Sequence, residues 1–290
     1  MRVLVTGASG IAGQLVCRML HEEGVEVRRA DIAPPPGDEL AGLEYVRCDT
    51  RTPTDALAAV AGCAAVIHLA AWHSGHSPPV SDATIFAVNV DGTFNVLEAC
   101  RAHGVRALVF ASSMAYGWRS VYSVTKVLGE DLCRMYHETT GAAVALLRYH
   151  DFVPKPYLAF GAKLLRNGVD RRDVAAATVA ALRTALAGQI GLFRTIVHTN
   201  HHMPPEVVGA FDQAGAAWCE QQVPGARALI EKYGIALPAS VEQHDLAEAA
   251  RALGWEPRVG FLEFLRDLQA RDMRGEDVAR LWAPGQLPLS

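Results

Sequence analysis

A tyrosine and a lysine four positions apart, Tyr122 and Lys126, are the residues of this chain best suited to moving a proton. Residues with this spacing lie on one face of a helix. A lysine ammonium beside a phenol stabilises the phenolate and lowers the phenol pKa, which gives a general base that works near neutral pH. We therefore predict alcohol oxidation, in which Tyr122 takes the hydroxyl proton as a hydride leaves the carbon.

Two serines close the apolar run RALVFASS that precedes this predicted helix. Either hydroxyl could hydrogen-bond the substrate oxygen. We assign the catalytic role to Ser112, although the adjacent Ser113 could hold it. An isolated YxxxK pair is common and is usually explained by an amphipathic helix with a surface lysine. Its place downstream of a dinucleotide fingerprint favours catalysis here.

That fingerprint is TGASGIAG, which lies between the strand-like RVLVT and a helix pattern at residues 11–23. Gly7 permits a tight turn, Gly10 lets the backbone approach a pyrophosphate, and Gly13 lets helix and strand pack closely. The free N–H groups of the helix start, at Ile11, would bind the anion.

Asp31 ends the next predicted strand, eighteen residues beyond Gly13, where a carboxylate accepts hydrogen bonds from an adenosine ribose. This position favours NAD over NADP, because the carboxylate would repel a 2′-phosphate. A helix cap or a solvated loop residue is the alternative for Asp31. Arg28 and Arg29 could serve a ribose phosphate, but they point to opposite faces of the strand and precede its end.

Strands and helices alternate through the first half of the chain. Apolar runs such as VEVRRA, AAVIHLA and AAVALLR are separated by helix-period segments, the longest of them at residues 84–102 and 122–138. Strands apolar throughout indicate a parallel sheet covered on both faces, a Rossmann-like doubly wound α/β fold. We predict an NAD-binding domain at 1–150 and a smaller substrate-binding region at 151–290, packed over the carboxyl ends of the strands.

The motifs together resemble the extended short-chain dehydrogenase/reductase family, and more narrowly its NAD-dependent sugar epimerases and dehydratases. They are GxxGxxG, HLAA at 68–71, NVDGTFNVLEAC at 89–100, FASSMAYG at 110–117, YSVTK at 122–126 and ALGWEP late in the chain. The resemblance implies that Lys126 also reaches the nicotinamide ribose. It also implies that Asn89 supports the central helix. The residues that it places against the cofactor are Asp49, Thr50, Leu69, Ala70, Ala71, Asn89 and Tyr149.

Two features depart from the family pattern. Only nine residues separate Ser112 from Tyr122, whereas relatives usually have a longer excursion there, so the substrate pocket must be rebuilt or more open. Ser113 and Met114 stand where the sugar dehydratases carry Asp and Glu, the base and acid that eliminate water. Dehydration is therefore disfavoured.

The predicted substrate contacts are His73, Ser113, His150, Asp151 and Arg166. Asp151 replaces an asparagine that often contacts a sugar nucleotide, and its charge would repel a pyrophosphate. Arg166 resembles the arginine that binds the nucleotide phosphate in UDP-sugar epimerases, but a surface ion pair explains it equally well. The sequence thus points both toward and away from a nucleotide substrate.

Histidines in HTNHHMPP and AWHSGHSPP could suggest a metal site. These histidines are His198, His201, His202, His73 and His76. They form neither an HExxH motif nor a Cys-His spacing, so we expect them to line a polar pocket from loops and to bind no metal.

Composition restricts the partners. The 27 basic and 31 acidic residues give a net charge of -4, which offers no footprint for nucleic acid or an anionic membrane. Six cysteines without a CxxC pair indicate reduced thiols and a cytoplasmic protein. We expect neither export nor a membrane anchor. By resemblance, the helices at 84–102 and 122–138 pair in a homodimer.

The leading hypothesis is an NAD-dependent epimerase or dehydrogenase that acts on a sugar or nucleotide sugar. One alternative is an NAD(P)-dependent carbonyl reductase or dehydrogenase of a non-sugar substrate, such as an apolar ketone. Another is a dinucleotide-binding sensor that has lost its chemistry.

Overall fold

The computed structural model describes residues 1–34, 39–73, 75, 79–117 and 119–283, so that His76 lies outside the described part of the chain. The chain divides into two compact units. The first unit comprises Met1–Tyr149, Ala175–Ile196 and Ala249–Trp255. The second comprises His150–Val174, Val197–Glu248 and the described residues from Glu256 on. The chain beyond residue 150 therefore contributes to both units.

The described residues form nine strands in two sheets. The strands are β1 (Arg2–Thr6), β2 (Glu26–Asp31), β3 (Tyr45–Arg47), β4 (Ala65–His68), β5 (Ala107–Ser113), β6 (Ala143–Tyr149), β7 (Lys155–Pro156), β8 (Leu192–Val197) and β9 (Trp282–Ala283). The larger sheet has seven strands in the order β3-β2-β1-β4-β5-β6-β8, with parallel pairing from β3 through to β6. The predicted Rossmann-like fold is confirmed. The order reverses between β1 and β4, the switch point at which such sheets bind ligands.

Twelve α-helices connect and flank the strands of the described chain. They are α1 (Ile11–Glu22), α2 (Pro53–Val60), α3 (Asp82–Phe86), α4 (Gly92–Ala102), α5 (Val121–Thr140), α6 (Tyr157–Leu164), α7 (Arg171–Leu186), α8 (Pro205–Val208), α9 (Phe211–Gln222), α10 (Ala226–Lys232), α11 (Ala247–Leu253) and α12 (Phe261–Met273). The single helix expected at 84–102 begins earlier and is interrupted by a π-helical turn, Ala87–Asp91. Such turns are often found at functional sites.

The core of the first unit explains why its strands are apolar along their whole length. Leu4, Val66, Leu108 and Val144, from four neighbouring strands, are fully buried under the helices. Helix α5 approaches β5 closely because it presents Gly129 there, where a Cβ would lie 2.4 Å from the Phe110 ring. This close packing fixes the helix that carries Tyr122 and Lys126.

The second unit has its own core. Its largest fully buried side chains are Tyr157, Phe160, Phe211, Phe261 and Phe264. The short strands β7 and β9 pair antiparallel at its edge. Among the described residues, we find no helix that is both long and apolar enough to cross a membrane.

Candidate active site

The glycine turn after β1 forms a cradle that side chains would fill. Gly7 has a φ of +68°, and a Cβ there would lie 2.7 Å from the Ala70 nitrogen. A Cβ on Gly13 would lie 2.2 Å from the Gly7 carbonyl oxygen, so α1 packs directly on the turn. Gly10 is the N-cap of α1 in an extended conformation. A backbone cradle at a helix start fits the pyrophosphate of a dinucleotide.

Asp31 is anchored to this turn. Its carboxylate accepts hydrogen bonds from the Ser9 N–H at 2.9 Å and the Ile32 N–H at 2.7 Å. Burial raises the pKa of Asp31, and these two bonds oppose the rise. Arg28 is turned inward and donates to the carbonyls of Ala59 and Ala61 at 2.8 and 2.6 Å. Arg28 therefore stays away from a ribose phosphate, as expected.

The segment after β3 is fixed against α4. The Thr50 carbonyl accepts from Asn95 Nδ2 at 2.9 Å, and a Cβ on Gly92 would lie 2.5 Å from Thr50 Oγ1. Asp49 forms a bidentate pair with Arg51, whose hydrogen bonds lower the pKa of that carboxyl group. The cofactor contacts of Asp49 and Thr50 stay predictions.

Asn89, in the π-helical turn, joins the segment after β4 to α5. Its amide donates to the Trp72 carbonyl and accepts from the Trp72 N–H, both at 2.9 Å. Nδ2 also donates to Thr125 Oγ1 at 2.9 Å, and that hydroxyl donates to the Tyr122 carbonyl at 2.8 Å. One buried amide therefore links the backbone after Leu69, Ala70 and Ala71 to the helix of the predicted base.

Tyr122 and Lys126 lie together on α5. The Lys126 Nζ donates to the Ala111 carbonyl at 2.8 Å and lies 5.8 Å from the centre of the Tyr122 ring. Burial lowers the pKa of Lys126 to about 8. Burial raises the pKa of Tyr122, and a hydrogen bond with the Ser113 side chain opposes that rise.

The serine that meets Tyr122 is Ser113 rather than Ser112. Successive residues of a strand point to opposite faces, so the two hydroxyls cannot share one environment. Ser112 is buried, and its hydroxyl donates to Glu130 Oε1 at 2.5 Å. The Ser113 side chain acts on Tyr122 and lowers its pKa. The Ser112 hydroxyl is thus held by Glu130, one turn after Lys126 on α5.

Glu130 is a residue that our sequence reasoning missed. It pairs with Arg148 through two hydrogen bonds of 2.7 Å, and Arg194 Nη1 lies 3.6 Å from its second oxygen. Its signal in the sequence was an acid four residues after Lys126, on the apolar face of the same helix. The paired carboxylate fixes α5 to β5 and β6.

His73 and Tyr149 lie beside the same strand end. The His73 ring stands edge-on to the Tyr122 ring, with their centres 6.1 Å apart. Tyr149 pairs in register with Ser113, and its buried hydroxyl lies 2.7 Å from Thr178 Oγ1. The structure therefore brings His73, Ser113, Tyr122, Lys126 and Tyr149 to one region of the first unit.

His150, Asp151 and Arg166 belong to the second unit. The Asp151 carboxylate pairs with Lys155 at 2.8 Å and lies 3.7 Å from Lys163 Nζ, so two cations offset the charge that would repel a phosphate. The Arg166 carbonyl accepts from His198 Nε2 at 2.9 Å. His150 lies in a cluster with His198 and His244.

Curated relatives are similar to about half of this chain. The 2-alkyl-3-oxoalkanoate reductase of Stenotrophomonas maltophilia is 35% identical over 153 residues, which cover 49% of this chain and 44% of the reductase. The uronate dehydrogenase of Agrobacterium fabrum is 34% identical over 171 residues, which cover 53% of this chain and 63% of the dehydrogenase. The matched part is thus less than two thirds of either relative.

Solved structures match nearly the whole chain. The UDP-glucose 4-epimerase of Thermus thermophilus, solved in complex with NAD, is 26% identical with a TM-score of 0.64, covering 95% of this chain and 99% of the epimerase. The uronate dehydrogenase of Agrobacterium tumefaciens is 25% identical with a TM-score of 0.64, and the match covers 93% of this chain and 88% of the dehydrogenase.

The family model that matches is that of the NAD-dependent epimerases and dehydratases, over residues 3–156, more than half of the chain. This match confirms the predicted family and, with it, NAD as the family's cofactor. The chain belongs to the NAD-dependent epimerase/dehydratase family.

Proposed function

We propose that this protein is an NAD-dependent oxidoreductase that oxidises a secondary alcohol of a sugar or nucleotide sugar, either as a net oxidation or as the first half of an epimerisation. One observation carries the proposal. Tyr122, whose pKa Ser113 lowers and which lies beside Lys126, is in the same compact unit as the glycine cradle and Asp31.

Each residue has a distinct part in the proposed reaction. Gly7, Gly10 and Gly13 would hold the NAD pyrophosphate, with the N–H groups from Ile11 on, and Asp31 would hold the adenosine ribose. Bound NAD supplies the acceptor for the hydride that leaves the alcohol carbon. Tyr122 takes the hydroxyl proton, so the carbinol becomes a carbonyl, and the Lys126 ammonium stabilises the phenolate that precedes this transfer.

Ser113 orients the substrate in this scheme, in place of Ser112. Its hydroxyl lies at Tyr122 and can hydrogen-bond the same substrate oxygen, whereas the Ser112 hydroxyl is held by Glu130. A serine that binds the substrate oxygen is also unavailable as the base of a dehydratase, and Met114 has no acidic proton. We therefore infer that the product is an epimer, a ketone or a lactone rather than a dehydrated sugar.

A second candidate is reduction of a carbonyl compound. It is favoured by the match to the 2-alkyl-3-oxoalkanoate reductase, and it uses the same residues in reverse, with Tyr122 as proton donor. This function would need a 3-oxo acid and the reduced cofactor.

The test is a set of incubations read by product mass and by NADH absorbance. The oxidative arm contains NAD with free sugars, uronic acids and UDP-, GDP- and dTDP-sugars, and the reductive arm contains NADH with 3-oxo acids. Loss of two hydrogens means oxidation, and unchanged mass with altered retention means epimerisation. Loss of water would contradict the proposal. Turnover in the reductive arm alone would establish the second candidate, and Tyr122→Phe is the control in every arm.

We also propose a cytoplasmic homodimer. All six cysteines are free and buried, as in a reducing compartment. Apolar side chains on α3, α4 and α5 are exposed, among them Phe86, Phe94, Val124 and Val127. Such a surface is typical of an interface, and an isologous pairing would cover both copies at once.

A further inference from the structure

Three histidines far apart in the sequence meet in the second unit. His150 follows β6, His198 follows β8, and His244 precedes α11. One ring nitrogen of each lies within 4.8 Å of one from each of the others, and the His150 and His198 ring centres are 4.1 Å apart. His150 and His198 are buried, and His244 is half-buried. Neither the glycine cradle nor the residues around Tyr122 accounts for this cluster.

The contacts of His244 cannot all be satisfied by protons. Its Nε2 lies 3.2 Å from His150 Nε2 and 3.1 Å from Glu242 Oε1. A ring nitrogen carries one hydrogen or one lone pair. If it donates to Glu242, no hydrogen is left for His150; if it accepts from His150, its lone pair faces a carboxylate oxygen. A cation between the three atoms would satisfy every contact.

The spacing of these atoms suits zinc. With zinc–ligand bonds of about 2.0–2.2 Å in a tetrahedron, neighbouring ligand atoms lie about 3.3–3.6 Å apart. The His150 Nε2, His244 Nε2 and Glu242 Oε1 atoms are separated by 3.2, 3.1 and 3.8 Å. The two contacts of His244 are close to this spacing, and the His150–Glu242 separation is somewhat longer.

His198 is the third histidine of the cluster, with a ring nitrogen within 4.8 Å of one from each of the other two. Its Nε2 lies 2.9 Å from the Arg166 carbonyl and donates to it, which leaves Nδ1 with a lone pair, and that buried atom has no hydrogen-bond partner. A ring N–H held by a backbone carbonyl is the usual outer-shell arrangement of a metal-binding histidine.

We propose that His150, His198 and His244 bind a Zn²⁺ ion through three ring nitrogens, and that the partly exposed Glu242 carboxylate beside His244 closes on the ion as the fourth ligand. Because the chain supplies all four ligands, the site is structural rather than catalytic. The ion would tie together three chain segments of the second unit and stabilise it. This reverses our expectation that the protein has no metal.

The test uses the full chain without a histidine tag. The protein is stripped with a chelator, then titrated with Zn²⁺ by calorimetry and by thermal unfolding, and metal is also counted in protein as purified. We expect one tightly bound ion per chain and a higher Tm on binding. His244→Asn should weaken zinc binding by more than the roughly 10- to 100-fold that loss of an outer-shell partner costs. His202→Asn, an exposed histidine outside the cluster, should bind zinc like the wild type.

Two further measurements keep the test decisive. Glu242→Gln, at a position whose side chain is 40% exposed, should fold normally and still bind zinc more weakly. Co²⁺ in place of Zn²⁺ should give the visible bands of a tetrahedral site without thiolate charge transfer. Absence of a tight equivalent of zinc, unchanged affinity in both variants, or a thiolate spectrum would overturn the proposal.

Discussion

The Ser112 hydroxyl donates to Glu130 Oε1 at 2.5 Å, while Arg148 holds both oxygens of the same carboxylate at 2.7 Å. This serine is committed to the packing between α5 and the sheet. Its neighbour Ser113 interacts with Tyr122 instead. Two adjacent serines therefore have separable tasks.

Substitution of each serine by alanine should separate activity from stability. Ser113→Ala should lower kcat by about 10²- to 10³-fold, the usual loss for one hydrogen-bond donor to a reacting oxygen. Ser112→Ala should leave kcat nearly unchanged but cost about 1–3 kcal/mol of unfolding free energy, because buried Glu130 loses a donor. Steady-state kinetics and urea unfolding measure both. The opposite pattern would return the catalytic role to Ser112.

Removal of the Tyr122 hydroxyl should stop the chemistry and spare the fold. Tyr122→Phe should reduce kcat by about 10²- to 10⁴-fold, since it deletes the proton-transferring oxygen, with NAD affinity nearly unchanged. Lys126→Ala should impair both rate and NAD affinity. Full activity of Tyr122→Phe on an identified substrate would mean that the base lies elsewhere.

The charge of Asp31 should set the choice between the two nicotinamide cofactors. Calorimetric titration of the wild type should show tighter binding of NAD than of NADP. Asp31→Asn keeps the shape and removes the charge, so it should narrow the difference in affinity, chiefly by improving NADP binding. Tighter NADP binding to the wild type would refute this assignment.

The buried ammonium of Lys126 should make stability depend on pH in the alkaline range. Its pKa is about 8 in the folded protein and about 10.4 in an unfolded chain. Between pH 8 and about pH 10.4, the unfolded chain keeps the Lys126 proton that the folded protein has released. The free energy of unfolding of the wild type therefore increases with pH in this range. Lys126→Met should therefore be more stable than the wild type at pH 7, with a difference that shrinks above pH 8.

Urea unfolding of both proteins between pH 7 and pH 9.5 measures this difference. Lys232→Met removes an exposed lysine that pairs with Asp272, and it should not be more stable than the wild type at pH 7. A pH-independent difference for Lys126→Met would show that the ammonium carries no burial penalty.

The exposed apolar surface of α4 and α5 should control assembly. Light scattering should give the mass of two chains for the wild type and of one chain for the double variant Phe94→Glu and Val127→Glu, because charges in an isologous interface face their own copies. Met273→Glu, at a residue that is 83% exposed in the second unit, is the matched control and should remain a dimer. A wild type that is monomeric at every concentration would exclude this interface.

The sequence determined the sheet, the family and the cofactor cradle, because their signals are local. Fully apolar strands separated by helices admit few architectures other than a covered parallel sheet. Each signal lies within one local element. The glycines lie in one turn, Asp31 ends one strand, and Tyr122 and Lys126 share one helix. The helix predicted at 84–102 was only partly correct, because periodicity does not reveal the π-helical turn that places the Asn89 amide against Trp72.

Only the tertiary structure decided between Ser112 and Ser113, because it shows that Glu130, on the helix of Tyr122, holds the Ser112 hydroxyl while Ser113 interacts with Tyr122. Likewise, the role of Glu130 is clear only from its ion pair with Arg148, which lies on β6 and not on the helix of Glu130. The histidine cluster is the extreme case. His150, His198 and His244 have no common spacing, and they meet because two strand ends and a later loop converge in the folded chain.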